Sequence, residues 1–136
     1  MIKSQFLLVV LVILFAFPNT YAQEYSKAER KVQIFTPDEK DNLQMWFHKE
    51  VHAMDFTEEE LDEYYAVIFY YIAKISRLDD LDKGYTKEEF KIELNKLLVK
   101  QDTDIKEMLT ADRYILHNKV YDVFLNTAYK RWGIVN

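Results

Sequence analysis

The chain has 136 residues, no cysteine, two glycines and two prolines, and a formal charge of 18 − 23 = −5. An acidic chain lacks the clustered Lys and Arg that phosphate binding needs, which argues against a nucleic-acid partner. Two glycines cannot build phosphate-cradling loops, nucleophile elbows or a set of hairpin turns, and the absence of Cys removes thiol catalysis and disulfides.

At the N-terminus, Lys3 precedes an unbroken apolar run from Phe6 to Phe17, followed by Pro18 and the small-residue pattern Thr20-Tyr21-Ala22. This predicts a secretory signal peptide over residues 1–22, cleaved after Ala22. A dozen apolar residues fall short of the roughly 20 that cross hydrocarbon as a helix, and nothing further along the chain could span a bilayer. The expected location is periplasmic or secreted. With no Cys at the cleavage point, lipid attachment there is excluded. Cleavage would leave 136 − 22 = 114 residues and, with Lys3 gone, a charge of 17 − 23 = −6. That length suffices for one core burying roughly two-thirds of the unfolded surface. Lacking disulfides in an oxidising compartment, such a domain must rely on packing or association, which favours an oligomer.

Residues 23–34 mix charged and small side chains without a period, as expected of an extended or frayed N-terminal arm. From Phe35 onward one pattern recurs four times, an apolar residue followed by Thr: Phe35-Thr36, Phe56-Thr57, Tyr85-Thr86 and Leu109-Thr110. In the first three, a glutamate stands three places after the Thr (Glu39, Glu60, Glu89), which completes a capping box; the fourth has Arg113 there. Apolar staples join Phe56 to Leu61, Tyr85 to Phe90 and Leu109 to Tyr114, and Pro37 suits a first helical turn. Four helices are therefore predicted, at about 38–53, 58–78, 87–108 and 111–131. They would form an all-α antiparallel bundle spanning 35–136, with Gly84 ending the second helix. Period-two alternation never persists, so strands are not expected.

The first helix carries the apolar stripe Leu43, Trp46, Phe47, Val51 and Met54, and the third Phe90, Leu94, Leu97, Leu98, Ile105 and Met108. A broader face on the fourth includes Tyr114, His117, Val120, Tyr121, Phe124 and Trp132. The second helix differs. Its core face reads Leu61, Tyr64, Tyr65, Ile68, Ile72 and Ile75, yet Ala66, Phe69, Tyr70 and Ala73 supply another apolar surface, and no charge occurs from Tyr64 to Ala73. A helix that is apolar on two sides is either central in the bundle or covered by a partner. Tyr64, Tyr65, Phe69, Tyr70 and Tyr71 are the candidate client or dimer surface, because Tyr and Phe give large contact area at low entropic cost. Aromatic stripes at helical spacing also serve as core. Pairing the Phe69 face across a two-fold axis predicts a homodimer.

His48 and His52, four apart on one helical face, are candidate ligands for a transition metal, to be joined by His117 if the fold brings it near. The intervening glutamate is misplaced for a peptidase motif. The stretch Asp79 to Phe90 superficially suggests a calcium loop, but aligning Gly84 with the loop glycine puts Leu81, Lys83 and Phe90 at ligand positions, so a plain turn is expected. Two serines remain after cleavage, Ser26 and Ser76, without a glycine-framed oxyanion site. No enzymatic activity and no cofactor are expected.

An exported helical chain with Phe56-Thr57-Glu58-Glu59-Glu60 opening one helix and Leu109-Thr110-Ala111-Asp112-Arg113 opening the last resembles the Spy/CpxP-like family of periplasmic proteins, marked by two Leu-Thr-x-x-Gln motifs. Residues from about Met54 to Trp132 follow that layout. Glu60 and Arg113 replace the motif glutamines, and Phe56 the first leucine. The resemblance implies a cradle-shaped helical dimer that holds unfolded polypeptides without ATP, modulates an envelope-stress sensor, or binds metal. Members with chaperone activity carry a basic concave face, whereas this chain is acidic and offers apolar and tyrosine surfaces instead.

Overall fold

The computed structural model describes residues 32–134. The expected signal peptide at 1–22 and residues 23–31 of the expected arm lie outside these. Four helices follow in order: α1 (Pro37–His52), α2 (Glu58–Ile75), α3 (Lys87–Met108) and α4 (Ala111–Trp132). Among the described residues there is no strand, and the fold is all-α, as expected.

Each helix begins where its threonine stands. Thr36, Thr57 and Thr86 accept from the amides of Glu39, Glu60 and Glu89 at 3.2 Å, while those carboxylates accept from the threonine amides at 2.8–2.9 Å. Two otherwise orphaned donors are satisfied at each start, and the carboxylates sit at the positive ends of the helix dipoles. The backbone bond from the Thr amide, followed by the Arg131 and Arg113 guanidinium groups, lowers the pKa of Glu39 and Glu60. At Thr110 only the hydroxyl bond to the Arg113 amide forms, at 3.4 Å.

Helix α2 runs along α3, and α1 along α4. The main core gathers Val51 of α1, Met54 of the connection that follows it, Tyr64 and Ile68 of α2, Ile105 of α3, and Val120 and Tyr121 of α4. Four of these, Val51, Tyr64, Ile68 and Ile105, are wholly buried. At about 1.5–3 kcal/mol for each fully buried large apolar side chain, they anchor the bundle. A second cluster joins Ile75, Leu78, Phe90, Leu94 and Ile134. Gly133 makes that tail contact possible: at φ +65° it ends α4 in the left-handed region, and the Ile134 amide donates back to the Tyr129 carbonyl at 2.9 Å.

The second helix stops three residues earlier than expected. Ser76 caps α2, its hydroxyl donating to the Ala73 carbonyl, and the next amides bond three residues back rather than four. This tighter winding turns Leu78 into the second cluster. Gly84, at φ +63°, therefore belongs to the loop before Thr86 and does not end α2. The loop is a plain turn, in which Asp79 accepts from the Trp132 indole at 3.0 Å and Asp80 lies 3.6 Å from Arg77.

Arg113 locks the two Thr motifs together. Its Nε and Nη2 donate to the carbonyls of Met54 at 3.0 Å and Asp55 at 2.5 Å, and its Nη1 to Glu60 at 2.9 Å. The guanidinium also covers the Phe56 ring, 4.7 Å from its centroid. Asp55, at φ +53°, takes the left-handed conformation that turns the chain between α1 and α2. Arginine thus replaces a local cap by a clasp that ties the start of α4 to the start of α2.

Candidate functional site

The inward stripe of α2 is Tyr64, Ile68, Tyr71 and Ile75, at i, i+4, i+7 and i+11. Tyr64 is 0% exposed and Tyr71 5%, so these two leave the proposed client surface and join the core. The seven-residue step from Tyr64 returns Tyr71 to the same face, and its hydroxyl donates to Asp104 of α3 at 2.5 Å. That carboxylate, with burial, pushes the Tyr71 pKa up to about 12. Tyr64 pairs with Nδ1 of His117 at 2.8 Å inside the bundle, and burial raises its pKa. His117, 3% exposed, stacks on Tyr121 with ring centroids 5.2 Å apart. Burial lowers its pKa to about 4, with Asp102 opposing.

On the outward side, Phe69 and Tyr70 are 57% and 53% exposed, as their position opposite the core stripe requires. Half-buried Tyr65 stacks on Phe69, centroids 5.3 Å apart and planes within 6°. Lys74 Nζ lies 4.5 Å over the Tyr70 ring. Of the five surface candidates, Tyr65, Phe69 and Tyr70 thus stay at the surface, Tyr65 and Phe69 as a stacked pair and Tyr70 edge-on to Tyr71.

Phe69 also lines a groove of about 350 Å³ between α1, α2 and α4. Its walls are mostly apolar: Leu43 and Phe47 from α1, Phe69 and Ile72 from α2, Phe124 and Leu125 from α4. Val32 to Ile34, the described end of the expected arm, and Phe35 complete it. Sequence reasoning missed the groove because it arises from how far α1 stands from α2, which no local pattern encodes. The same holds for Gln101, buried on the core face of α3 beside the Tyr121 hydroxyl of α4.

The histidines divide. His48 and His52 are exposed, with their Nε2 atoms 2.8 Å apart, and Nδ1 of His48 is 2.9 Å from the Tyr65 hydroxyl. His117 does not join them: it is buried against Tyr64, and among the described residues no three His, Cys, Asp or Glu side chains are grouped to hold a metal ion. Among these residues, too, no helix is long and apolar enough to cross a membrane.

Compared with protein families, curated protein sequences and solved structures, the chain matches none.

Proposed function

We propose that this is an exported, non-enzymatic protein that binds other polypeptides, as an ATP-independent holdase or envelope-stress modulator akin to the Spy/CpxP-like family. The observation that carries the reading is the outward aromatic face of α2, where Phe69 and Tyr70 stay more than half exposed on a well-capped helix. Large exposed aromatics next to an apolar groove suit apolar segments of another chain, and Tyr adapts to varied partners. A homodimer pairing Phe69 across a two-fold axis belongs to the same reading. The test is light scattering from an aggregating client with stoichiometric protein. Suppression is expected, and none at any ratio removes the holdase. In parallel, Phe69→Glu should yield helical monomers; an unmutated protein that is monomeric at micromolar concentration removes the dimer.

The close approach of His48 and His52 supports a second reading, a metal-binding sensor or buffer. Two ligand nitrogens about 2.0–2.1 Å from a metal and at a right angle to each other stand about 2.9 Å apart, near the 2.8 Å observed. Calorimetry with zinc, copper and nickel tests it: micromolar binding lost in His48→Ala supports the site, and no binding heat with any of them retires it.

A further inference from the structure

The His48–His52 pair is held from the neighbouring helix. Nε2 of His48 lies 2.8 Å from Nε2 of His52, with the two rings nearly perpendicular at 85°. The other ring nitrogen of His48, Nδ1, lies 2.9 Å from the hydroxyl of Tyr65 on α2. A neutral imidazole carries one proton, so the partner of Nδ1 decides whether Nε2 keeps a free lone pair. A tyrosine hydroxyl can donate or accept, which leaves two complete arrangements open to the metal-free trio. If Tyr65 donates to Nδ1, the His48 proton sits on Nε2, between the two rings. If the Tyr65 oxygen accepts from Nδ1–H, the Nε2 lone pair of His48 faces His52. A metal ion held by both Nε2 atoms is compatible only with the second arrangement.

The tyrosine is itself well anchored for this task. Its half-buried ring stacks on Phe69 with the planes within 6°, and its centroid lies 6.5 Å from that of Phe47 on α1. The hydroxyl is thereby fixed beside one turn of α1, and His48 receives a partner that the spacing of α1 alone does not supply. Histidines that bind metals are oriented in this way, the nitrogen remote from the metal donating to an oxygen that sets both ring angle and tautomer.

We propose that Tyr65 is a positioning residue for a divalent transition-metal ion bound by His48 and His52, its hydroxyl oxygen accepting from Nδ1–H of His48 so that the Nε2 lone pair turns toward the ion. This rests on the metal-binding reading and ties that site to the packing of α1 on α2. Calorimetry with zinc, copper and nickel is to be repeated on Tyr65→Phe, which keeps the ring against Phe69 and removes only the hydroxyl. Each metal that the unmutated protein binds should bind about 10–100-fold more weakly, with helix content unchanged. Nitrogen-15 NMR of the zinc-loaded protein, zinc being diamagnetic, gives a signature that a merely structural role would not move. There His48 should be protonated at Nδ1 and zinc-bound at Nε2, and its Nδ1 proton should exchange with water faster in Tyr65→Phe. Equal metal affinity in Tyr65→Phe, or a zinc-loaded His48 bound through Nδ1, overturns the proposal. Binding that is lost in His48→Ala but unchanged in Tyr65→Phe contradicts only the role of Tyr65, whereas no binding of any of the three metals by the unmutated protein removes the metal reading and this proposal together.

Discussion

Helix α2 passes through two regions that treat it differently. At the junction around Ile68, its inward side is sealed by α3, α4 and the end of α1, and Arg113 clasps the turn that precedes it. Along the groove its outward side meets open space, and Phe69 and Tyr70 stand in water. The lesson is a division of labour. Stability concentrates where Tyr64, Ile68 and Tyr71 are covered, and that leaves the opposite aromatic surface free for contacts the bundle does not need.

Substitutions on the two sides should separate accordingly. Ile68→Ala removes a wholly buried side chain from the junction and should cost about 2–5 kcal/mol, read as a lower midpoint in urea unfolding. A cost under about 1 kcal/mol would mean that the junction is not the core.

The buried His117 makes stability depend on pH. Its pKa is about 4 in the fold against about 6.5 unfolded, so the unfolded chain takes up a proton that the folded chain refuses. Stability is therefore full above about pH 6.5, falls as pH drops, and by pH 4 has lost about 3 kcal/mol. Urea midpoints at pH 7 and pH 5 measure the slope, and His117→Phe should flatten it. The capping carboxylates Glu39 and Glu60, whose pKa values are lowered, add their loss only at more acidic pH.

Arg113→Met keeps much of the stem but loses the bonds to the Met54 and Asp55 carbonyls, for about 1–2 kcal/mol. Its bond to the half-exposed Glu60 carboxylate is partly screened by solvent and is not counted. Hydrogen exchange should then quicken at residues 54–57 before it does in α3. Smallest of all, Phe69→Ser should change the stability of the single chain, measured at concentrations where it is monomeric, by less than about 0.5 kcal/mol, because within one chain its ring is already mostly in water. A large loss there would show that the outward face is structural after all.

The helix starts were legible in the sequence because a capping box is local: Thr57 and Glu60 need only three residues to meet. Which of five neighbouring aromatics would be buried was only partly legible. Periodicity places Tyr64 and, seven residues on, Tyr71 inward and Phe69 and Tyr70 outward, but the partner that satisfies the Tyr71 hydroxyl, Asp104, lies thirty-three residues away. Arg113 looked like a defect in a motif, since its role lies with carbonyls 58 and 59 residues back. Likewise His117 could be placed on a helix face but not assigned to Tyr64 rather than to His48 and His52. Long-range partners depend on how helices cross, and single-helix patterns do not record that.

The most direct test of the central claim compares one exposed apolar surface with others. Phe69→Glu, Val99→Glu and Val123→Glu each place a charge at a position that is more than half exposed, on α2, α3 and α4 respectively. Suppression of client aggregation by light scattering is then measured for each at equal concentration. Loss of suppression in Phe69→Glu alone, with helix content unchanged, is the predicted result. Equal loss in all three, or full suppression retained by Phe69→Glu, would contradict the claim that the outward face of α2 is the binding surface.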